Sequence, residues 1–143
     1  MKLIEQFIEK LKSTKESEWC QNVRENIMGQ HCAIGWAEVI YNRSFDISIP
    51  SELTHEIGRL AVEKGWVQPW IPEQETAFSD TGLYILATIN NGPNGRSYLP
   101  HKVPDCIYHL TNPKQRTIAF LEALIEVEEP IKEEIKEEVL ELV

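Results

Sequence analysis

The most constraining feature of this sequence is the segment 79–90, which is apolar on nearly every side when its residues are placed on a helix. A helix without a polar face is stable only where other elements surround it, so we expect this one at the centre of the domain. The run NNGPNGRS that follows is rich in glycine and asparagine and predicts a tight turn. The apolar positions of the segment are Leu83, Tyr84, Ile85, Leu86, Ala87 and Ile89.

Five other segments repeat apolar residues at the three- and four-residue spacing of a helix buried on one face. In the second of these, STKE at 13–16 has capping-box spacing and predicts a helix that ends at Gly29. Ser51 and Asn112 are predicted N-caps, and Gly65 is predicted to end the helix that Ser51 begins. The predicted inward positions are Leu3, Ile4, Phe7, Ile8 and Leu11; Trp19, Cys20, Val23 and Ile27; Cys32, Trp36, Val39 and Ile40; Leu53, Ile57, Leu60 and Ala61; and Ile118, Leu121, Leu124 and Ile125.

The last segment, 130–143, is predicted to be an acidic amphipathic helix appended to the domain. Its apolar stripe consists of Ile131, Ile135, Val139 and Leu142. The expected fold class is therefore all-α: a single compact domain of six or seven helices over residues 1–129, followed by this C-terminal helix.

Charge and cysteine usage narrow the function classes. Residues 126–143 hold eight glutamates and two lysines, so they carry −6 of the formal net charge of −9. Such a surface repels phosphates and argues against direct nucleic-acid binding. No apolar run approaches the ~18 residues of a membrane span. With three cysteines and no cofactor motif, we expect a cytoplasmic protein with free thiols and no cofactor (in the host cytoplasm if a phage encodes it).

The adjacent pair His31-Cys32 at a predicted helix start raises three alternatives. Cys32 could simply pack inward, which is the commonest role of a free cysteine. It could instead be a nucleophile, because a helix N-terminus lowers a thiol pKa, with His101 or His109 as its base. Thirdly, His31, Cys32, Cys106 and His109 could together hold a structural zinc ion, although an adjacent His-Cys pair has unusual ligand spacing.

Two loops are candidate binding surfaces. In the turn after the central helix, Asn90, Asn91 and Arg96 could bind a ligand or partner, or the asparagines could cap helix carbonyls and a neighbouring loop. The proline-containing loop GWVQPWIPE carries Trp66 and Trp70, which suit a protein interface.

Three short motifs stand out along the chain: Trp19 and Gln21; Cys32 and Gly35; and Asn90, Pro93, Gly95, Arg96 and Ser97. They resemble the motifs of the DUF6197-like family of bacterial and phage proteins. One residue is inserted in the third motif, Asn91 stands where the family has an acidic residue, and the tail beyond Glu129 is additional. The resemblance spans about residues 3–128, and it implies a phage or bacterial accessory protein in which Cys32 lies near the 90–96 turn.

These observations favour a non-enzymatic interaction protein of phage or bacterial origin. We expect it to bind a protein partner, or to self-associate, through the acidic C-terminal helix and the tryptophan loop. A Cys/His-dependent hydrolase or transferase with Cys32 as its nucleophile is the alternative.

Overall fold

A computed structural model of the chain describes residues 3–23, 25–41, 51–69 and 77–126, and within these ranges the protein is all-α. Isolated β-bridges join the segments around Trp19, Glu25 and His31, and no β-strand forms in the described ranges. The predicted fold class is confirmed. The helices are α1 (Leu3–Lys12), α2 (Ala33–Tyr41), α3 (Ser51–Glu63), α4 (Ala77–Asn91), α5 (Asp105–Tyr108) and α6 (Pro113–Glu126).

Helices α3 and α4 form a close-packed pair whose backbones touch at two glycines. A Cβ atom on Gly58 would lie 2.0 Å from the Phe78 carbonyl oxygen, and one on Gly82 would lie 1.8 Å from the Thr54 carbonyl oxygen. No residue with a side chain fits at either position, so these glycines set the distance between the helices.

The core forms where α2, α3 and α6 pack against α4, and α1 packs against α6 and α3. Four of the five predicted inward residues of α1 are buried, and Leu3 is partly buried against them. On α3, Leu53, Ile57 and Ala61 are fully buried, and Gly65 follows with a φ of +73°, as predicted for its end. The predicted central position of α4 is confirmed by the complete burial of Ile85, Leu86 and Ile89.

Helix α6 begins as predicted from Asn112-Pro113. The Asn112 side-chain oxygen accepts hydrogen bonds from the backbone N–H groups of Lys114 at 2.8 Å and Gln115 at 3.3 Å. These bonds satisfy donors that have no partner within the helix. The helix buries Leu121 and Leu124 as expected, and also Phe120.

The predicted helix over 13–29 is wrong. The hydroxyls of Ser13 and Thr14 donate to the carbonyls of Lys10 and Leu11, at 2.6 Å each, so they close α1 instead of starting a new helix. A short 3-10 turn, Glu16–Glu18, and an irregular loop follow. Of the predicted inner face, Trp19 is buried, whereas Val23 and Ile27 are 47% and 103% exposed.

The predicted inner face of α2 is partly wrong. Trp36 is buried as expected, but Val39 is 52% exposed, because the helix packs its small residues inward. The buried residues of this helix are Ala33, Ile34, Gly35, Trp36 and Ala37.

Some predictions fall outside the described residues: Trp70 and the stripe of Ile131, Ile135, Val139 and Leu142. Within the described ranges, no helix is both long and apolar enough to span a bilayer.

Candidate functional site

The C-terminal end of α4 holds two buried asparagines that join distant parts of the chain. The side-chain oxygen of Asn90 accepts from the Ala33 N–H at 3.0 Å, and its amide nitrogen donates to the Cys20 carbonyl at 3.0 Å. Asn90 is completely buried. One side chain therefore connects the end of α4 to both ends of the 19–32 loop.

The Asn90 amide takes the place of a backbone hydrogen bond. Around the Trp19–His31 bridge, His31 N–H donates to Glu18 O and Cys20 N–H donates to His31 O, each at 2.9 Å, which is parallel β pairing. The next bond of such a ladder would run from the Ala33 N–H to the Cys20 carbonyl. Asn90 bridges these two groups, so the pairing continues through a side chain of α4.

Asn91 fixes the same loop to the turn that follows α4. Its side-chain oxygen accepts from the Asn22 N–H at 2.6 Å, and its amide nitrogen donates to the Arg96 carbonyl at 3.0 Å. Asn22 completes the cluster: its side-chain oxygen accepts from the Arg96 N–H at 2.7 Å. Asn22 has a φ of +70°, a left-handed conformation that asparagine tolerates better than most residues.

These bonds match the capping interpretation of the 90–96 turn, because the side chains of Asn90 and Asn91 are occupied by backbone groups of the fold. Arg96 is exposed, and its backbone is part of the cluster. The expected proximity of Cys32 to this turn is confirmed, since Cys32 and Asn91 line one cavity.

Arg116 was missed by the sequence analysis. Its guanidinium is buried on α6 and donates three hydrogen bonds: from Nε to Ile89 O at 3.1 Å, from Nη1 to Leu110 O at 2.6 Å and from Nη2 to Asn90 O at 2.7 Å. These carbonyls include two at the end of α4 that lack helical partners, and a cation there complements the helix dipole. Burial lowers the pKa of Arg116.

The position of the Arg116 guanidinium also explains why residue 92 is a glycine. A Cβ on Gly92, which has a φ of +72°, would lie 2.6 Å from the Arg116 Cζ atom. The signal that could have identified Arg116 is its spacing: it lies four residues before the buried Phe120 and so on the inward face of α6.

The 19–32 loop carries a hydrogen-bonded apolar turn at its tip. Asn26 accepts from the N–H groups of Met28 and Gln30 through its side-chain oxygen, at 3.0 Å each. The backbone N–H of Gly29 donates to Asn26 O at 3.0 Å, which closes the turn. Ile27 and Met28, between these bonds, are 103% and 79% exposed. We call residues 26–29 the apolar turn.

An apolar cavity of about 220 Å³ lies between this loop, α4 and Tyr98. Cys32 contributes to its wall but is only 6% exposed. Burial raises the pKa of the Cys32 thiol, although the amides of Ile34 and Gly35 at the start of α2 favour its thiolate. The predicted lowering of this pKa by the helix N-terminus is therefore wrong in net direction, because desolvation outweighs the helix end.

The histidines of the proposed catalytic alternative lie in a different depression from Cys32. His101 and His109 line a surface hollow of about 600 Å³ whose described wall does not include Cys32. The Nδ1 atom of His101 accepts from the Val103 N–H at 3.1 Å, its ring packs edge-on against Tyr108, and burial lowers its pKa. The arrangement does not place either imidazole in the cavity that Cys32 lines.

The four residues of the predicted zinc site do not form a metal site either. Within the described residues, which include His31, Cys32, Cys106 and His109, no three or more histidine, cysteine, aspartate or glutamate side chains form a group that could hold a metal ion. The His31 ring packs edge-on against Trp36, and His109 lies 3.5 Å from an Asp105 oxygen.

Trp66 lines a second groove. Its ring is half-buried, with its centroid 5.9 Å from that of Phe120, and Lys64 Nζ lies 5.3 Å from the indole centroid. The groove, of about 580 Å³, runs between residues 65–69 and 99–102, and the Lys102 N–H donates to Trp66 O across it at 2.7 Å.

None of the protein-family models, curated proteins or solved structures compared with this chain matches it.

Proposed function

We propose that this chain is a non-enzymatic interaction protein whose contact surface for a protein partner includes the apolar turn. The observation that carries the proposal is the exposure of Ile27 and Met28, at 103% and 79%, on a turn held by three bonds to Asn26. Single exposed apolar residues are common, but two neighbours on an already ordered turn need little further ordering to bind. Methionine also adapts to differently shaped partners.

The buried asparagine cluster supports this proposal because it fixes the base of the loop. Asn90 and Asn91 hold Cys20, Asn22 and Ala33, so the apolar turn projects from a constrained support. Binding residues on a surface loop positioned by a rigid scaffold are a common arrangement.

The tryptophan loop and the acidic C-terminal segment, which the sequence predicts to be a helix, belong to the same proposal as further contacts. Trp66 borders an open groove, which suits a partner side chain. The formal net charge of −9 favours a partner with a basic surface. An accessory role in a phage or a bacterium follows from the family resemblance and is part of the proposal.

The test compares three forms of the full chain, each immobilised and exposed to a bacterial lysate. The double variant Ile27→Ser/Met28→Ser removes the two apolar side chains of the turn, and Val39→Ser removes an apolar side chain of α2 that is 52% exposed and lies outside the turn. We expect a captured protein that the wild type and Val39→Ser retain and the double variant loses. If the double variant captures the same proteins as the wild type while folding normally, the apolar turn is not the contact surface.

The tail is tested separately by deleting residues 130–143. We expect the deletion to weaken partner capture or self-association, because it removes the stripe of Ile131, Ile135, Val139 and Leu142. If the deletion leaves both partner capture and the oligomeric state measured by analytical ultracentrifugation unchanged, the tail is not part of the interface.

The catalytic alternative predicts a reactive Cys32. The raised pKa of this thiol and its burial predict slow alkylation at pH 7, slower than that of the exposed Cys106. Mass spectrometry after limited iodoacetamide treatment measures both rates. If Cys32 is alkylated faster than Cys106, the result contradicts the non-enzymatic proposal and favours the catalytic alternative.

A further inference from the structure

Two cysteines, Cys20 and Cys32, each directly follow a residue of the parallel bridge at the base of the 19–32 loop. Trp19 and His31 form the parallel bridge, and both of their rings face Trp36, at centroid distances of 6.2 and 4.9 Å. Successive side chains of paired segments alternate in direction, so Cys20 and Cys32 are the next opposed pair on the other side.

The backbone pairing beside these cysteines predicts a separation that suits a disulfide bond. The Cys20 N–H bonds directly to His31 O, and the Asn90 amide spans Cys20 O and the Ala33 N–H, so the two cysteines lie between these connections. Paired segments are about 4.8 Å apart, and disulfides join Cα atoms about 4.4–6.8 Å apart. Burial raises the pKa of the Cys20 thiol, and the nearby charge of Cys32 raises it further.

We propose that Cys20 and Cys32 are a redox pair that forms an intramolecular disulfide by exchange with a low-molecular-weight disulfide such as oxidised glutathione. The inference concerns the loop's own chemistry and stands whether or not the apolar turn binds a partner.

The exchange takes place in two steps. The Cys20 thiol loses its proton, and its sulfur attacks one sulfur of oxidised glutathione, which breaks the glutathione disulfide and releases one glutathione thiolate. The Cys32 sulfur, after losing its proton, attacks the Cys20 sulfur, forms the Cys20–Cys32 bond and releases the second glutathione. The two protons end on the two released thiolates. The protein is oxidised by two electrons, and glutathione disulfide is reduced.

The positions of the two thiols assign the order of attack. The Cys20 sulfur lies 3.3 Å from the carbonyl oxygens of Val23 and Gln30, and its single S–H can donate to either. Cys20 is half-buried whereas Cys32 is buried, so Cys20 is the more accessible thiol. Cys32 is buried at the start of α2, and burial raises the pKa of its thiol although the amides of Ile34 and Gly35 favour the thiolate. Cys20 is therefore the first thiol to react, and Cys32 is the resolving thiol.

The disulfide closes the loop at its base. The apolar turn lies between the two cysteines, so the bond constrains the segment that carries Ile27 and Met28. Oxidation raises the midpoint of unfolding, because the cross-link restricts the unfolded chain.

The experiment treats the native full chain with oxidised glutathione at pH 8.5 and analyses proteolytic fragments by mass spectrometry without reduction. We expect a cross-linked fragment pair containing Cys20 and Cys32, about 2 Da lighter than the two free fragments together. In Cys106→Ser the cross-link forms at the wild-type rate. In Cys32→Ser, where serine remains a good N-cap for α2, Cys20 retains a bound glutathione that the wild type loses.

Two outcomes overturn the proposal. One is a wild type that keeps glutathione on Cys20 as long as Cys32→Ser does, because the second thiol is then out of reach. The other is a dominant cross-link to Cys106 in the folded protein. Circular dichroism checks that each variant is folded. The second outcome, a dominant cross-link to Cys106, is measured on the wild type alone and so does not depend on the stability of a variant.

Discussion

Replacement of Asn90 by alanine is the sharpest test of the polar cluster. The substitution removes an acceptor for the Ala33 N–H and a donor for the Cys20 carbonyl, at a position that is completely buried. A buried polar group left without a partner costs about 1–3 kcal/mol. Because the Cys20 carbonyl is only partly buried, we expect a total loss of about 2–4 kcal/mol.

That loss is large compared with the ~5–15 kcal/mol by which a domain is usually stable. Urea unfolding followed by circular dichroism measures it; with a slope of about 1–3 kcal/mol per M, the midpoint falls by about 1–3 M. The matched control is Asn94→Ala, an exposed asparagine of the same turn. If Asn90→Ala loses no more stability than this control, the cluster does not hold the loop.

Three further predictions concern the fold and its pH response. Gly82→Ala places a Cβ 1.8 Å from a backbone oxygen of α3, so urea unfolding should show that the free energy of unfolding falls by about 3 kcal/mol or more. As the control, Gly29 has a φ of +77° with open space around it, so Gly29→Ala should cost only the ~1–2 kcal/mol of the left-handed conformation. In Arg116→Lys one ammonium group cannot reach all three carbonyls, so the free energy of unfolding should fall by about 2–3 kcal/mol. An unchanged urea midpoint would contradict the three hydrogen bonds assigned to the buried guanidinium. His101 has a lowered pKa in the folded state, so its contribution is complete above the unfolded value of about 6.5 and is lost as the pH falls toward the folded pKa. Replacement by asparagine, which keeps an acceptor for the Val103 N–H, should flatten the decrease in thermal stability between pH 7 and 5, and an equally steep decrease would refute this assignment.

The sequence predicts α1, α3, α4 and α6 because their signals are local. Apolar residues at helical spacing, the Asn112 cap and the Gly65 stop each depend on a few neighbouring residues. The predicted helix over 13–29 fails for a local reason of a different kind. Ser13 and Thr14 can cap either a following helix or a preceding one, and here their hydroxyls bond back to α1.

The candidate site was harder to predict because its contacts join residues far apart in the chain. The turn chemistry identified Asn90 and Asn91, but their partners Ala33 and Asn22 lie 57 and 69 positions away. No local pattern specifies such a pairing. The apolar turn was missed for a different reason: Ile27 fits the stripe of the wrongly predicted helix, and the absence of that helix leaves it exposed to solvent.

Two further features of the sequence indicate where the helices make close or polar contacts. Gly58 and Gly82 stand in the middle of helices, where glycine lowers stability unless a close approach requires it. Arg116 occupies an inward position of α6, where a charged side chain needs buried partners. Each anomaly marks a point where tertiary packing determined the residue.

The most direct test of the account is native-state hydrogen exchange at the amides of Asn22, Ala33 and Arg96. Each of these N–H groups donates to the side-chain oxygen of an asparagine in the cluster. If the cluster holds the loop rigidly beneath its exposed tip, all three amides exchange slowly, at rates close to those of the α4 core. Exchange at the rate of an unstructured loop, while α4 remains protected, would contradict the account.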